Sequence, residues 1–402
     1  MMAALYGLAL ANIFLRSSMG VLAPELSAEL ALTPGMLGAI ASAFFISYAL
    51  MQIPTGLLLD RFGPRRTMAG LFTLTVVGIF LFSVAPSGPA MLLARLLMGA
   101  GCAGIFSGAF MVIARFYPNE RFTSIGATMN SFAMLGTFLA TAPLALLVVS
   151  FGWRSGFIAI SCATAAIWLL AAFTVRDRPA AKDGDGTARR GENLREIFAG
   201  LYAVLRTRGI LKIASGGMAL SAGNTFLGIW GGPYLNDVHG LDEAGRGQVL
   251  LFMAFAGVAG HFLYGQASRL FNTLKGLVLA GSVGIVAIMA LLALLPSPGV
   301  ITVTALFAAL GLVCSFPTVL LSHGRALVPD HLIGRGLTVV NTGVMISIAA
   351  MQIAVGALIG LSPAESGQAT AEGYRLAFGF VGLMALVTVL IYSGTEDRRP
   401  RG

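Results

Sequence analysis

The chain has 402 residues, of which 57% are hydrophobic and only 11% are Asp, Glu, Lys or Arg. Soluble domains carry about 25% charged residues, so most of this surface does not face water and a soluble globular domain is excluded. The formal net charge of +9 comes from basic residues scattered through short loops. That scatter fits the positive-inside effect and argues against nucleic acid as a partner.

About 20 apolar residues cross a ~30 Å hydrocarbon core as a helix, and a helix satisfies its own backbone polar groups. The apolar runs are long and continuous, unlike the alternating strands of an outer-membrane barrel. They predict twelve spans, at 4–24, 36–59, 68–85, 90–114, 122–148, 153–175, 209–234, 246–268, 276–295, 299–321, 336–360 and 374–393. The N-terminus has no basic n-region or small-residue cleavage site, so the first run reads as a retained helix. The weakest boundary is Pro296-Ser297-Pro298-Gly299, which reads as a tight turn or a kink.

Loops after the even-numbered spans, with the C-terminal tail, hold Arg61, Arg65, Arg66, Arg115, Arg121, Arg269, Lys275, Arg325, Arg335, Arg398, Arg399 and Arg401. The opposite loops hold Arg154, Arg246 and Arg375. Both termini are therefore expected in the cytoplasm, in a multi-pass protein of the inner (plasma) membrane. Residues 176–208 mix charge with Gly and Pro and read as a mobile linker. Within them, the helical spacing of Leu194, Ile197, Phe198, Leu201 and Leu205 predicts a short amphipathic helix on the inner surface.

The linker separates an N-terminal half, 1–175, from a C-terminal half, 209–402, each with six spans. The halves read as distant copies. Gly152-Trp153-Arg154 opens span six as Gly373-Tyr374-Arg375 opens span twelve, and Arg115-Phe116-Tyr117-Pro118 precedes span five as Arg325-Ala326-Leu327-Val328-Pro329 precedes span eleven. Gly56-x-x-x-Asp60-Arg61 has a decayed counterpart, without the acid, at Gly265-Gln266-Ala267-Ser268-Arg269. Parallel six-helix repeats with a midplane site between them are a transporter architecture. Cys102, Cys162 and Cys314 lie far apart in apolar runs and read as packing residues, with no disulfide framework or metal site.

Gly56-x-Leu58-x-Asp60-Arg61-x-Gly63-x-Arg65, placed after span two, resembles the loop motif of the major facilitator superfamily. Arg95, Gly99 and Gly101 in span four are similar to that superfamily's Arg-x-x-x-Gly-x-Gly pattern, and the resemblance covers the whole chain. Pro64 departs from the pattern, where a basic residue is usual. The resemblance implies an all-α membrane fold of twelve helices in two pseudo-symmetric halves. It also implies that Asp60, Arg61, Gly63, Arg65 and Arg66 form a gate holding the inner end shut, and that Arg95 serves coupling or ties span four to span one. The beginning of the chain (Leu15-Arg16, Leu22-Ala23-Pro24-Glu25-Leu26, Leu37-Gly38, Ser47-Tyr48) resembles the organophosphate and organic-anion symporter branch. In phosphate-ester members of that branch an arginine in span one pairs with another in span seven. Arg16 matches the first, whereas Asn224 occupies the second position, aligned through Trp230 and Tyr234-Leu235. One arginine suits a monocarboxylate better than a phosphate dianion.

A guanidinium well inside span one costs about 2.5–3.5 kcal/mol on the insertion scale, and no Asp or Glu lies deep in a predicted span to neutralise it. Arg16 is thus a candidate for substrate-anion binding through its planar fork; the alternative is an arginine snorkelling to the outer headgroups. Asn12, Arg16 and Gly20 share a face at i, i+4, i+8 that is expected to point into the cavity. Tyr48 and Gln52 in span two, Ser221, Asn224, Gly228 and Trp230 in span seven, and Asn341 and Gln352 in span eleven are neutral polar or aromatic candidates for the same cleft, or for hydrogen bonds between helices. His261, midway along span eight, is a candidate proton carrier or a packing residue. Asp60 opposes the dipole at the C-terminus of span two and is expected to meet the N-terminus of span eleven near Arg335-Gly336, or the adjacent arginines.

The sequence therefore reads as a secondary active transporter, acting as a monomer and moving a small organic anion by alternating access with a co-transported proton or by exchange. The alternatives are efflux of lipophilic drugs or metabolites and a transporter-like membrane sensor. No catalytic residues, cofactor or metal site are expected: the chain has no Walker A sequence, ligand cluster or Ser-His-Asp spacing.

Overall fold

The computed structural model describes residues 1–175, 199, 202–296, 298–329, 332–362 and 369–397. Most of the linker and the arginines of the C-terminal tail lie outside the described residues, so the amphipathic helix expected there is seen only at 199 and 202–205, which are helical.

Among the described residues the regular structure is helical, and twelve spans emerge once the breaks are read. Eight helices are individually long and apolar enough to cross a membrane. One of these, Pro34–Ser83, has 50 residues, about 75 Å at 1.5 Å per residue, far more than one bilayer crossing. It turns at Gly63 (φ 78°, ψ 166°), a backbone conformation open to glycine and strained for other residues, and so supplies spans two and three. Pro64 follows at the first position of span three, where a missing N–H leaves no hydrogen bond unmade. That placement accounts for the departure from the loop motif.

Span one is a pair of helices, Met2–Ser17 and Met19–Leu30, bent by 49°. Span five, Asn119–Leu139 and Ala142–Phe151, bends by 44°, with Pro143 in the first turn of its second arm. Span four is Gly88–Cys102 with Ile105–Phe116, and span six is Trp153–Thr174. Span seven runs through Ile210–Ala214 and Gly216–Thr225, a π-helical turn at Phe226–Trp230, and Gly231–His239. Spans eight and nine are Glu243–Leu270 and Lys275–Leu294, and span ten is Val300–Val313 with Pro317–Leu327. Spans eleven and twelve are Ile333–Gly360 and Ala371–Ser393. The segment after Leu294 is a turn between two helices, not a kink in one.

The internal duplication is visible in side-chain contacts. At the start of span six, Trp153 donates its indole N–H to Glu29 at the end of span one, and Arg154 bonds the Ser83 and Ala85 carbonyls where span three ends. At the start of span twelve, Tyr374 donates to Asp237 at the end of span seven (2.8 Å), and Arg375 bonds the Ala293 carbonyl where span nine ends (2.7 Å). The same aromatic–carboxylate and arginine–carbonyl pairing recurs six spans apart. Gly99 of span four lies against the Phe44 carbonyl of span two, and Gly311 of span ten lies against the Met253 carbonyl of span eight; neither has room for a methyl group. Such close approach of small residues is how helices pack where lipid removes the hydrophobic driving force between them.

The two halves meet at the end that carries few arginines. Pro24 cannot donate to the carbonyl four residues back, and that carbonyl, Gly20 O, is seated against Gly232 of span seven, where any side chain would clash. Gly38 of span two packs on the Gln352 backbone of span eleven, and Gly247 of span eight packs on Ala142 and Ala145 of span five. The ring centroids of Phe138 and Phe255 lie 4.6 Å apart across the same interface.

Candidate functional site

Below these contacts a cavity of ≈ 270 Å³ lies between the halves. It runs from Arg16 and Gly228 towards the arginine-rich end, reaching His261, Leu321 and Asn341. Its wall is mostly apolar, from Ile13, Met134, Leu227, Met253, Val258 and Met345, and no Asp or Glu is among its lining residues.

Arg16 stands one residue before the end of the first arm of span one, in the wall of this cavity. Its guanidinium carbon lies 5.6 Å from the Phe45 ring and 5.7 Å from the Tyr48 ring, both on span two. Its Nη2 points across to span eleven, 3.4 Å from the Met345 sulfur. Rings and a thioether orient the fork without neutralising it, so the positive charge is available to an anion in the cavity. Tyr48 is buried beneath the guanidinium and hydrogen-bonded to Gln52. These two act behind Arg16 and are not among the cavity-lining residues.

Asn224 of span seven and Asn341 of span eleven line the cavity with His261. His261 Nδ1 is 2.8 Å from the Gly257 carbonyl. A carbonyl only accepts, so Nδ1 carries the hydrogen and Nε2 is left to accept or bind a proton. The Ser315 hydroxyl shares that carbonyl at 2.7 Å.

Several expected cavity residues turn elsewhere. Asn12 is fully buried and donates to the Cys102 carbonyl of span four at 2.8 Å, and Gly20 faces span seven. The expected shared face required a straight helix, and the 49° bend after Ser17 redirects Gly20 away from Arg16. Trp230 is buried, with its indole N–H on the Gln352 carbonyl (3.3 Å), so it packs above the cavity and does not line it. Ser221 returns its hydroxyl to its own helix at Met218 O (2.6 Å). Gln352 is buried within span eleven.

Arg95 is 2% exposed, so it does not snorkel. Its Nη1 donates to the Leu15 carbonyl at 2.8 Å, and its guanidinium carbon lies 4.9 Å from the Phe44 ring. This contact holds the backbone of span one next to Arg16. At the inter-span turn, Asp60, Arg61 and Arg66 are exposed. Arg61 stacks on Phe62 (5.4 Å), Arg65 donates to the Ala172 carbonyl of span six (3.1 Å), and Thr67 closes the turn onto the Leu58 carbonyl (2.8 Å). Arg65 thus anchors the turn within its own half.

Sequence reasoning missed Cys314 and Ser315, which line the cavity where span ten breaks before Pro317. The Cys314-Ser315 pair just ahead of a proline inside an apolar span is the signal that could have found them. It also placed Glu25 just outside span one and Arg246 at a loop edge. The helices continue through both, and the two side chains form an ion pair between the halves.

Two six-helix bundles enclosing a polar-tipped cavity at their interface define a membrane transport protein of the alternating-access class. The sequence profile of the Major Facilitator Superfamily matches residues 5–351, and the chain belongs to that superfamily. Over 165 residues it is 33% identical to the Cupriavidus necator protein named "Probable sulfoacetate transporter SauU", covering 41% of this chain and 38% of that one. It is 26% identical over 267 residues to the hexuronate transporter of Bacillus subtilis, covering 63% of this chain and 62% of that one. The chain therefore matches less than two thirds of the length of each of these relatives. Among solved structures, a D-xylose–proton symporter superposes with a TM-score of 0.77 at 16% identity, over 98% of this chain and 96% of that one. A bacterial homologue of the human lysosomal transporter Spinster, in an inward-facing and occupied conformation, gives 0.73 at 17% identity, over 98% and 95%.

Proposed function

We propose that this protein transports a small organic anion, such as a monocarboxylate, across the inner membrane by rocking its halves, 1–175 and 209–402, about the central cavity. The observation that carries this reading is the Arg16 guanidinium in the wall of a cavity whose lining has no carboxylate. A cavity of ≈ 270 Å³ falls just below the ~300–1,000 Å³ typical of small-molecule sites, which suits a few-carbon acid better than a large lipophile. The names of these relatives, a "Probable sulfoacetate transporter" and a "Hexuronate transporter", support an anionic substrate.

Arg16 receives the anionic group, with Asn224 and Asn341 giving neutral hydrogen bonds from the opposite half. Tyr48 and Gln52 hold the guanidinium in place. His261, a cavity-lining residue, is the coupling candidate for a co-transported proton, and Arg95 fixes the bend beside Arg16. Asp60, Arg61, Gly63, Arg65 and Arg66 form the inner gate. The arginine-rich end, with both termini, faces the cytoplasm, and the monomer is the working unit.

Counterflow in proteoliposomes tests the reading. Purified protein preloaded with an unlabelled monocarboxylate should accumulate its radiolabelled form transiently and saturably. Absence of exchange across a panel of organic acids, together with drug resistance on expression, would establish efflux of lipophiles instead. Ligand binding without accumulation would point to a sensor.

A further inference from the structure

Arg246 stands in the first turn of span eight and is 2% exposed. Its Nη2 is paired with Glu25 Oε1, on the second arm of span one, in the opposite half. Its Nη1 donates to Asn236 Oδ1 at the end of span seven (3.0 Å), and Nη2 is also 3.7 Å from Glu243 of its own helix. The pair sits at the arginine-poor end, beside the Gly20–Gly232 and Gly247–Ala142 contacts that close it.

The two partners are unequally committed. Asn236 and Glu243 belong to the same half as Arg246, so the guanidinium keeps both when the halves separate. Glu25 has its bond to Arg246, and its other oxygen, Oε2, makes no hydrogen bond. The carboxylate borders a cleft of ≈ 600 Å³ at this end, lined also by Glu29, Trp153 and Glu243, so water can take it up on separation. A buried ion pair is costly to break when it strands a charge; this one strands neither.

We infer that Glu25 and Arg246 are the outer-gate latch of the transport cycle, closed in this state and opened each time the cavity turns to the arginine-poor side. The inference rests on the rocking-halves reading but not on the identity of the substrate. Its test uses the native cavity thiol Cys314 as reporter, in full-length protein carrying Cys102→Ala and Cys162→Ala and a C-terminal tag. A membrane-impermeant methanethiosulfonate is applied to each face in turn. Glu25→Gln should speed modification of Cys314 from the face opposite the tag by about tenfold, the scale of losing one charge-assisted bond. Modification from the tag face should stay unchanged, which shows that the fold is intact. Glu25→Arg alone should act in the same direction, and combining it with Arg246→Glu should restore the slow rate. Unchanged labelling in Glu25→Gln, or acceleration that the exchanged pair does not reverse, would overturn the latch. Should an Arg246 variant fail to fold, Glu25→Gln decides alone. Because no substrate is added, a negative result here leaves the anion reading standing, and failed counterflow leaves the latch standing.

Discussion

Replacing Arg16 by glutamine separates a binding arginine from a structural one, because the two roles predict opposite changes in stability. In the substrate-free protein Arg16 contacts the Phe45 and Tyr48 rings and the Met345 sulfur. Two partly wet cation–π contacts are worth about 0.5–1 kcal/mol each. Holding a guanidinium within a bilayer costs about 2.5–3.5 kcal/mol. Removing the charge therefore relieves at least as much as it loses, and Arg16→Gln should melt at or above the wild-type temperature. Binding behaves in the other direction. A hydrogen bond to a charged group is worth about 1.5–3 kcal/mol, so losing the fork should weaken affinity for the anion by roughly 10- to 150-fold. Thermal-shift measurements on detergent-purified protein read both effects. Wild type should gain stability as ligand rises above its Kd, by about 2.7 kcal/mol at 100 times Kd, and the variant should gain little at the same concentration. Counterflow should fall in parallel. A variant that melts several degrees lower while still exchanging anion at normal affinity would refute the argument and make Arg16 a structural residue.

Asp60→Asn is expected to lower the turnover of counterflow while Kd stays within several-fold; an unchanged rate would remove Asp60 from the gate. His261→Gln should retain exchange but lose accumulation driven by an imposed proton gradient, since the amide cannot carry a proton; retained accumulation would exclude His261 from coupling. Asp397, beyond span twelve, accepts from the Thr273 hydroxyl and from the Leu274 and Lys275 N–H groups at the start of span nine (3.2 and 3.0 Å for the last two). Burial pushes its carboxyl up, but the Thr273 hydroxyl and those N–H groups outweigh it and hold it below the ordinary value. A depressed carboxylate stabilises the fold above its unfolded pKa of about 3.9 and loses that contribution as pH falls through the folded value. Asp397→Asn should therefore destabilise the fold at neutral pH by less than about 1 kcal/mol, the difference between a hydrogen bond to a charged and to a neutral acceptor reduced by solvent screening at this exposed position, and the gap in melting temperature from wild type should close under acid. A gap that persists at low pH would contradict this.

Much of the fold was legible because bilayer physics writes itself locally. Twenty apolar residues with no charge must cross as a helix, whatever lies beside them. Glycine at 63 with proline at 64 ends one helix and starts the next by backbone sterics alone. The repeated Gly-aromatic-Arg at spans six and twelve carried the duplication, since each copy makes the equivalent bonds to other spans of its own half.

Where a side chain points is a different matter, because helical phase survives only along an unbroken helix. The bend after Ser17 and the π turn at Phe226–Trp230, which widens the helix by one residue per turn, shift the faces of spans one and seven. Neither break carries a strong local signal, so Gly20 is expected in the cavity on the regular spacing yet faces span seven in the folded chain, and Trp230 packs above the cavity; Asn12, on the same unbroken helix as Arg16, is turned away by its bond to the Cys102 carbonyl of span four. The Glu25–Arg246 pair joins residues separated by 221 positions, and only the packing of one half on the other brings them together. The sequence by itself determined membrane residence, the order and pairing of the spans and the charged turn at Asp60; tertiary structure decided which polar groups meet a cavity, because that depends on how broken helices are rotated when two bundles close.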